Sequence, residues 1–346
     1  MISSTAVPDL VAICRAALGR GIVSSTSIGA GRNSRVFRVD LDGGESPSSV
    51  VVKFYRRDPG DERDRLGTEF GGLQFLWEND VRVVPRPIAK DRDRHVAMYE
   101  YVPGDVPAHA AITRPDIDAS VDFLAALKGL RGAPGSQALP AASEACFSID
   151  EIVLNVERRR ERLRSVPTDS DEVACMRRWL DETFDPLVVE VRRWCRDAAE
   201  RSGVAFHEFI GSDARTLTPS DFGFHNSIRR SDGTLIFVDF EYFGWDDPAK
   251  TIVDYLLHPG MALGSALKHR FAGRILDVFA DVPRLGPRAR VVYPLFGLKW
   301  TLILLNEFLP GRADQAIGER RLDQLRKAQA FAGRLASEYA DNPYLA

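Results

Sequence analysis

The chain has 346 residues, 45% hydrophobic and 27% charged, enough for one bilobal domain or two ordinary ones and too apolar for wholesale disorder. Forty-six basic against 49 acidic residues leave a net charge of −3, which excludes a strongly basic nucleic-acid binder. The four cysteines, Cys14, Cys146, Cys175 and Cys195, form no CxxC pair, the pattern of free thiols in a reducing cytosol.

The first residues lack the basic-then-apolar pattern of a signal peptide. Residues 8–19 alternate at helical spacing and predict a leading helix. Ile22 to Ile28 reads as a strand, Gly29-Ala-Gly31-Arg-Asn33-Ser34 as a loop, and Arg35 to Leu41 as a second strand. After the Asp42-Gly43-Gly44 turn, Ser48 to Phe54 is a β-branched strand, and Glu62 to Trp77 is an amphipathic helix. Two short strands flank residues 91–94, the second running from His95 to Tyr101. Beyond Pro103-Gly104, helical patterns cover 113–130, 148–164 and 171–202, with a loop at 132–142. The arginine run from Glu157 to Arg164 carries interspersed glutamates, so a solvated helix face is expected and not a nucleic-acid patch. A short β segment at 227–239 precedes helices at 248–257, 262–280, 288–309 and 317–340. Tyr293 to Leu309 comes nearest to the ~20 apolar residues of a membrane span and is interrupted by Lys299, Asn306 and Glu307. A soluble cytoplasmic protein with no membrane and no nucleic-acid partner is the expectation. The organisation predicted is a small β-rich N-terminal lobe, residues 1–101, and a larger, mostly helical lobe, residues 102–346.

Gly29-x-Gly31 is either a simple turn or a phosphate flap. A dinucleotide fingerprint must open a helix, whereas here a strand follows, so the glycines suit a hairpin whose N–H groups cover a triphosphate. Lys53 ends the apolar run Val50-Val-Val52; it points outward from an edge or stands inside as a cation for phosphate. Glu69 falls within the apolar stripe of Leu66, Phe70, Leu73 and Leu76, where an unpaired carboxylate is costly. Lys53 is its economical partner. Farther on, Asp221-x₄-Asn226 is followed by a short hairpin and then by Asp239-x-Glu241 at a strand end. That spacing suits phosphoryl transfer, one carboxylate accepting the proton of an attacking hydroxyl while an amide and a second carboxylate hold Mg²⁺. His225 reads as loop packing, and Asp247 or Asp254 as a helix cap or loop brace.

Taken in order, Gly29/Gly31, Lys53, Glu69, Asp221-x₄-Asn226 and Asp239-x-Glu241 resemble the aminoglycoside phosphotransferase and choline kinase-like family, over roughly residues 25–258. The resemblance implies an α+β, bilobal, protein-kinase-like fold and an ATP- and Mg²⁺-dependent kinase acting on a hydroxyl of a sugar, aminoglycoside or amino-alcohol. It implies that Gly29, Gly31 and Lys53 hold the ATP phosphates with Glu69 fixing Lys53, that Asp221 is the base, and that Asn226 and Asp239 are Mg²⁺ ligands. Tyr99 and Tyr101 stand at the positions of the family's adenine-contacting hinge. Glu241, with Trp300 and Glu307 on the helix at 288–309, are candidates for the acceptor site. The chain departs from the family at Pro219-Ser220, where His-Gly is common, and at Ser34, in place of a third loop glycine. A catalytically inactive nucleotide-binding pseudokinase that regulates a partner is the alternative. These residues carry donor chemistry; acceptor identity, ATP over GTP and oligomeric state are not encoded in them.

Overall fold

The computed structural model describes residues 7–30, 33–44, 46–57, 61–310 and 317–345. Contacts separate the chain into two compact units: Met1–Ala111, Ala126–Glu144 and Leu217–Trp245 form one, and Ile112–Ala125, Ala145–Thr216 and Asp246–Ala346 the other.

In the first unit, α1 (Val7–Leu18) leads into β1 (Ile22–Ala30), β2 (Ser34–Leu41), β3 (Ser49–Tyr55), α2 (Arg65–Glu78), β4 (Pro87–Asp91) and β5 (Val96–Glu100). The five strands make one antiparallel sheet in the order β1-β2-β3-β5-β4. The two-residue period of a strand decides what each face carries. Val50 and Val52 of β3 join Val39, Val96 and Met98 in a core that Leu10, Ile13 and Cys14 of α1 complete. Burial of each such aliphatic side chain contributes about 1.5–3 kcal/mol. The alternate positions, Lys53 and Tyr55, are also buried, and they meet Glu69 of α2.

Helix α2 begins three residues later than the pattern of apolar residues suggests, because the Asp64 carboxylate caps it by accepting from the Gly67 N–H at 2.8 Å. Gly72 lies where α2 passes Phe243: a Cβ there would stand 2.5 Å from the ring. The same unit holds β7 (Ser227–Arg229) paired antiparallel with β8 (Leu235–Phe237), preceded by β6 (Thr216–Thr218) and followed by β9 (Gly244–Asp246).

The helices are α3 (Arg114–Gly129), α4 (Ile149–Arg164), α5 (Asp171–Trp179), α6 (Asp185–Ser202), α7 (Pro248–Leu257), α8 (Ser265–Val278), α9 (Leu285–Leu304) and α10 (Ile317–Glu338). Together with the sheet they make an α+β fold. Helix α9 is the hub of its unit, packed against α4, α6, α7 and α10. With the turn after it, Leu285–Phe308 is long and apolar enough to cross a membrane, but 72% of its most apolar window is buried inside the protein, as in a core helix.

Three expectations change in this unit. The helix predicted over 171–202 is interrupted by a π-helical turn at 180–184; Pro186, without an N–H, opens the helix that follows, and the hydrogen-bond ladder shifts there. The arginines of α4 form a solvated face only in part: Arg158 and Arg162 are exposed, and others are drawn into ion pairs. Arg164 pairs with Asp181 and Asp185, Arg160 lies 3.6 Å from Asp185, and Arg192 of α6 reaches Glu157. Finally, α9 stops at Leu304 and tightens into a 3₁₀ turn at 305–308, so Trp300 and Glu307 do not share the one continuous helix expected.

Candidate active site

Lys53 is the centre of the site. Its Nζ lies 2.7 Å from Glu69 Oε2, 2.7 Å from Asp239 Oδ1 and 3.9 Å from Glu241 Oε2. Strand β3 delivers the ammonium, α2 delivers Glu69, and the segment after β8 delivers both other acids. Burial disfavours the charged Lys53 ammonium; Glu69, then Asp239 and Glu241, outweigh that and hold its pKa above the ordinary lysine value. The oxygens of Glu69, Asp239 and Glu241 cluster closely enough to grip a cation. Lys53 is that cation.

Tyrosines fix the geometry further. The Tyr55 hydroxyl lies 2.7 Å from Glu69 Oε2 and 2.7 Å from the Tyr99 hydroxyl, and the Phe240 N–H donates to Glu69 Oε1 at 3.4 Å. Tyr55→Phe is expected to lower unfolding free energy by about 1–3 kcal/mol, since it leaves the buried Tyr99 hydroxyl without its partner. Urea denaturation measures this, and a wild-type midpoint would refute it.

The second half of the site is the loop after β6. Asp221 and its neighbours form a tight turn: the Asp221 N–H donates to the Pro219 carbonyl at 2.9 Å, and the Asn226 N–H to that of Gly223 at 3.0 Å. The Asn226 side-chain amide donates to the Asp221 carbonyl at 2.9 Å, and the Val238 N–H donates to the Asn226 carbonyl at 2.9 Å. These bonds bring Asp221 and Asn226 beside the residue that precedes Asp239. Asp221 and Asp239 are 38% and 40% exposed at the side chain, so both reach solvent while Glu69 and Glu241 do not. His225 is more than packing: its Nε2 lies 3.1 Å from Asp221 Oδ1.

Two non-glycine residues of the site have left-handed backbone. Ser220 has φ 69° and Asp239 φ 67°, the left-handed region that favours glycine. The position before Asp221 is the one where the resembling family commonly carries glycine, and the left-handed φ is the physical reason. Ser220→Gly relieves about 1–2 kcal/mol of that strain, and part is returned through glycine's greater freedom in the unfolded chain. A net rise in urea midpoint is expected; a fall would contradict it.

The remaining candidates are placed as follows. Gly29 is the last residue but one of β1, opposite Val36 and next to a bulge, and β2 follows as a strand and not as a helix; Gly31 lies outside the described residues. Tyr99 sits in mid-sheet, its backbone opposite Val51 on one side and Pro87 on the other, with its ring turned to Tyr55. Tyr101 is the first residue past β5, its ring under the Arg38 guanidinium at 4.4 Å. Glu241 is 4% exposed, and its Oε1 accepts from Asn33 Nδ2 at 2.5 Å with Arg65 Nε 3.7 Å away. It is a buried brace between the β1–β2 loop and α2.

Trp300 and Glu307 belong to the helical unit. Trp300 donates its indole N–H to Asp254 at 2.8 Å, and Asp254 also lies 3.2 Å from Lys250 and 3.8 Å from Lys299. Lys250 is buried and 2.8 Å from Asp246. Asp247 caps α7 by accepting from the Ala249 N–H, and Arg288 grips its other oxygen at 2.6 Å. Glu307 accepts from Arg321 through its main-chain carbonyl at 3.2 Å.

Three members of the site were missed in the sequence. Tyr55 could have been found: it shares a face with Lys53 two residues earlier, and the strand simply runs one residue longer than expected. Asn33 and His225 carry no periodic signal, being loop residues whose partners, Glu241 and Asp221, become neighbours only in three dimensions.

Comparison with known proteins agrees with this architecture. A structure of spectinomycin phosphotransferase in complex with ADP and spectinomycin superposes with a TM-score of 0.65 at 11% identity, covering 94% of this chain and 97% of that one. Choline kinase from Cryptosporidium parvum gives 0.61 at 12% identity over 95% and 96%, and choline kinase LicA from Streptococcus pneumoniae gives 0.60 at 13% over 94% and 98%. These similarities define the fold as bilobal and protein-kinase-like. A sequence search of curated proteins finds no match. The model of the phosphotransferase enzyme family matches residues 24–287, and the chain belongs to that family. It is a phosphotransferase of the kinase class, whose acceptor group is an alcohol.

Proposed function

We propose that this protein is an ATP- and Mg²⁺-dependent kinase that transfers the γ-phosphoryl group to a hydroxyl of a small molecule such as a sugar, an aminoglycoside or an amino-alcohol. The observation that carries this reading is Lys53 Nζ held at 2.7 Å by both Glu69 and Asp239, an ammonium fixed in place for phosphate oxygens. Lys53 binds and orients the α- and β-phosphates, Glu69 sets its position, and the β1–β2 loop with Gly29 and Gly31 covers the nucleotide. Tyr99 and Tyr101 mark the adenine edge.

Asp221 is the base. The acceptor oxygen attacks the γ-phosphorus, the bond from that phosphorus to the β,γ-bridging oxygen breaks, ADP departs, and the hydroxyl proton passes to Asp221. His225 keeps the carboxylate turned toward the acceptor. The residues present fit Mg²⁺. Lys53 takes Asp239 Oδ1, while Oδ2 of this partly exposed side chain has no hydrogen-bond partner among the described residues. Asn226 donates its amide N–H to the Asp221 carbonyl, while its own side-chain oxygen accepts no hydrogen bond among the described residues. Both are the hard oxygen donors that Mg²⁺ takes. When bound, the metal supplies charge neutralisation for the phosphates. Trp300, anchored by Asp254, offers a fixed ring for the acceptor. The free thiols, three of them buried, support a cytoplasmic setting.

The deciding experiment is a coupled ADP-release screen over sugars, aminoglycosides and amino-alcohols, with phosphorus NMR on any hit. Acceptor-dependent ADP release and a phosphate monoester are expected. ATP binding without turnover on any acceptor would overturn the reading in favour of a regulatory pseudokinase. Phosphate appearing on added protein would overturn it in favour of a protein kinase.

A further inference from the structure

The helical unit encloses a cavity of about 280 Å³ that the phosphoryl-transfer reading does not use. It lies among the end of α7, α8, α9 and α10. Part of its wall is apolar, formed by Leu257, Phe331 and Leu335, each at most 8% exposed. Five polar side chains, those of His258, Lys268, Tyr293, Arg334 and Glu338, interrupt that wall.

Lys268 of α8 and Arg334 of α10 both line the cavity, and neither forms an ion pair with a carboxylate among the described residues. The alternatives they have are rings: Lys268 over Tyr344 at 5.3 Å and Arg334 over Phe331 at 5.7 Å. Glu338 is the single acid of the lining, so the cations are in excess. Burial lowers the Lys268 ammonium below its ordinary pKa; Glu338 restores part of the loss, and the Arg334 charge deepens it. A partly desolvated ammonium with an exposed guanidinium at the cavity's edge, together outnumbering the one acid, favours an anion between them. Tyr293 of α9 is an independent sign. It is 2% exposed, it lines the cavity, and its hydroxyl has no hydrogen-bond partner among the described residues. The hydroxyl oxygen stays reachable from the cavity, so a ligand there can bond it.

We propose that this cavity binds a small organic anion, its carboxylate or phosphate held by Lys268, Arg334 and the Tyr293 hydroxyl and its apolar body laid against Phe331 and Leu335. The size suits a compact ligand of one ring or a short chain, near the lower end of small-molecule sites. The proposal rests on this cavity alone and not on the phosphoryl-transfer reading.

The test is calorimetric titration of the full-length protein with benzoate, phenyl phosphate and the neutral benzyl alcohol, in wild type and in Lys268→Met, Arg334→Gln and Tyr293→Phe variants. At least one anion should bind wild type, about tenfold more tightly than benzyl alcohol. Preference for benzoate or for phenyl phosphate then separates a carboxylate ligand from a phosphate one. Lys268→Met should weaken the bound anion by about tenfold, and Arg334→Gln, at an exposed position, by a smaller factor. Tyr293→Phe should weaken it several-fold. No binding by either anion, equal binding of benzyl alcohol, or full affinity in both Lys268→Met and Arg334→Gln would each overturn the proposal.

Discussion

Replacing Asp221 with alanine is expected to leave nucleotide affinity close to wild type and to lower kcat by on the order of 10²–10⁴, the usual contribution of a positioned general base. The carboxylate is partly exposed, and the bonds that hold Lys53 run to Glu69, Asp239 and Glu241, so its loss should not disturb the donor side. Calorimetry of ATP and a coupled ADP assay read the two halves separately. Turnover equal to wild type would show that the acceptor proton leaves by another route. Loss of ATP binding would show that Asp221 is part of the nucleotide seat.

Lys53→Met should have the largest effect on the protein itself. It removes the one cation that Glu69 and Asp239 share at 2.7 Å, and it leaves Glu69 buried at 4% exposure among tyrosines. Breaking a buried pair from one side costs on the order of 3–5 kcal/mol, and nucleotide affinity should fall with it. The companion Lys53→Met/Glu69→Gln variant removes both charges, so it should recover much of the lost stability while ATP binding stays weak. Urea denaturation of wild type, both single variants and the double variant closes the cycle. Additive losses would mean that the two side chains do not stabilise each other.

The order of chemistry along the chain was readable because each part imposes a local rule. Glu69 stood out as a charge on an apolar helical stripe, and Asp221-x₄-Asn226 as a polar turn before a buried strand. The antiparallel sheet was legible from alternation, and the elements differ from expectation by only a few residues at their ends. What stayed hidden depends on distance in space or on backbone shape. Nothing periodic announces that Asn33 will bond Glu241, 208 positions later. The π-helical turn before Pro186 and the 3₁₀ turn after Leu304 arise where the backbone ladder changes step, which apolar spacing does not record. The latter is why a face drawn through Trp300 and Glu307 failed at its far end.

The Glu69 carboxylate is fastened from three directions, by an ammonium, a phenol and a main-chain amide, and the glycine at 72 seats its helix directly on an aromatic ring. Swinging that helix outward, the gesture by which an enzyme of this shape could idle, would strip all three at once and open a gap against the ring. A catalyst so bolted has no inexpensive off position.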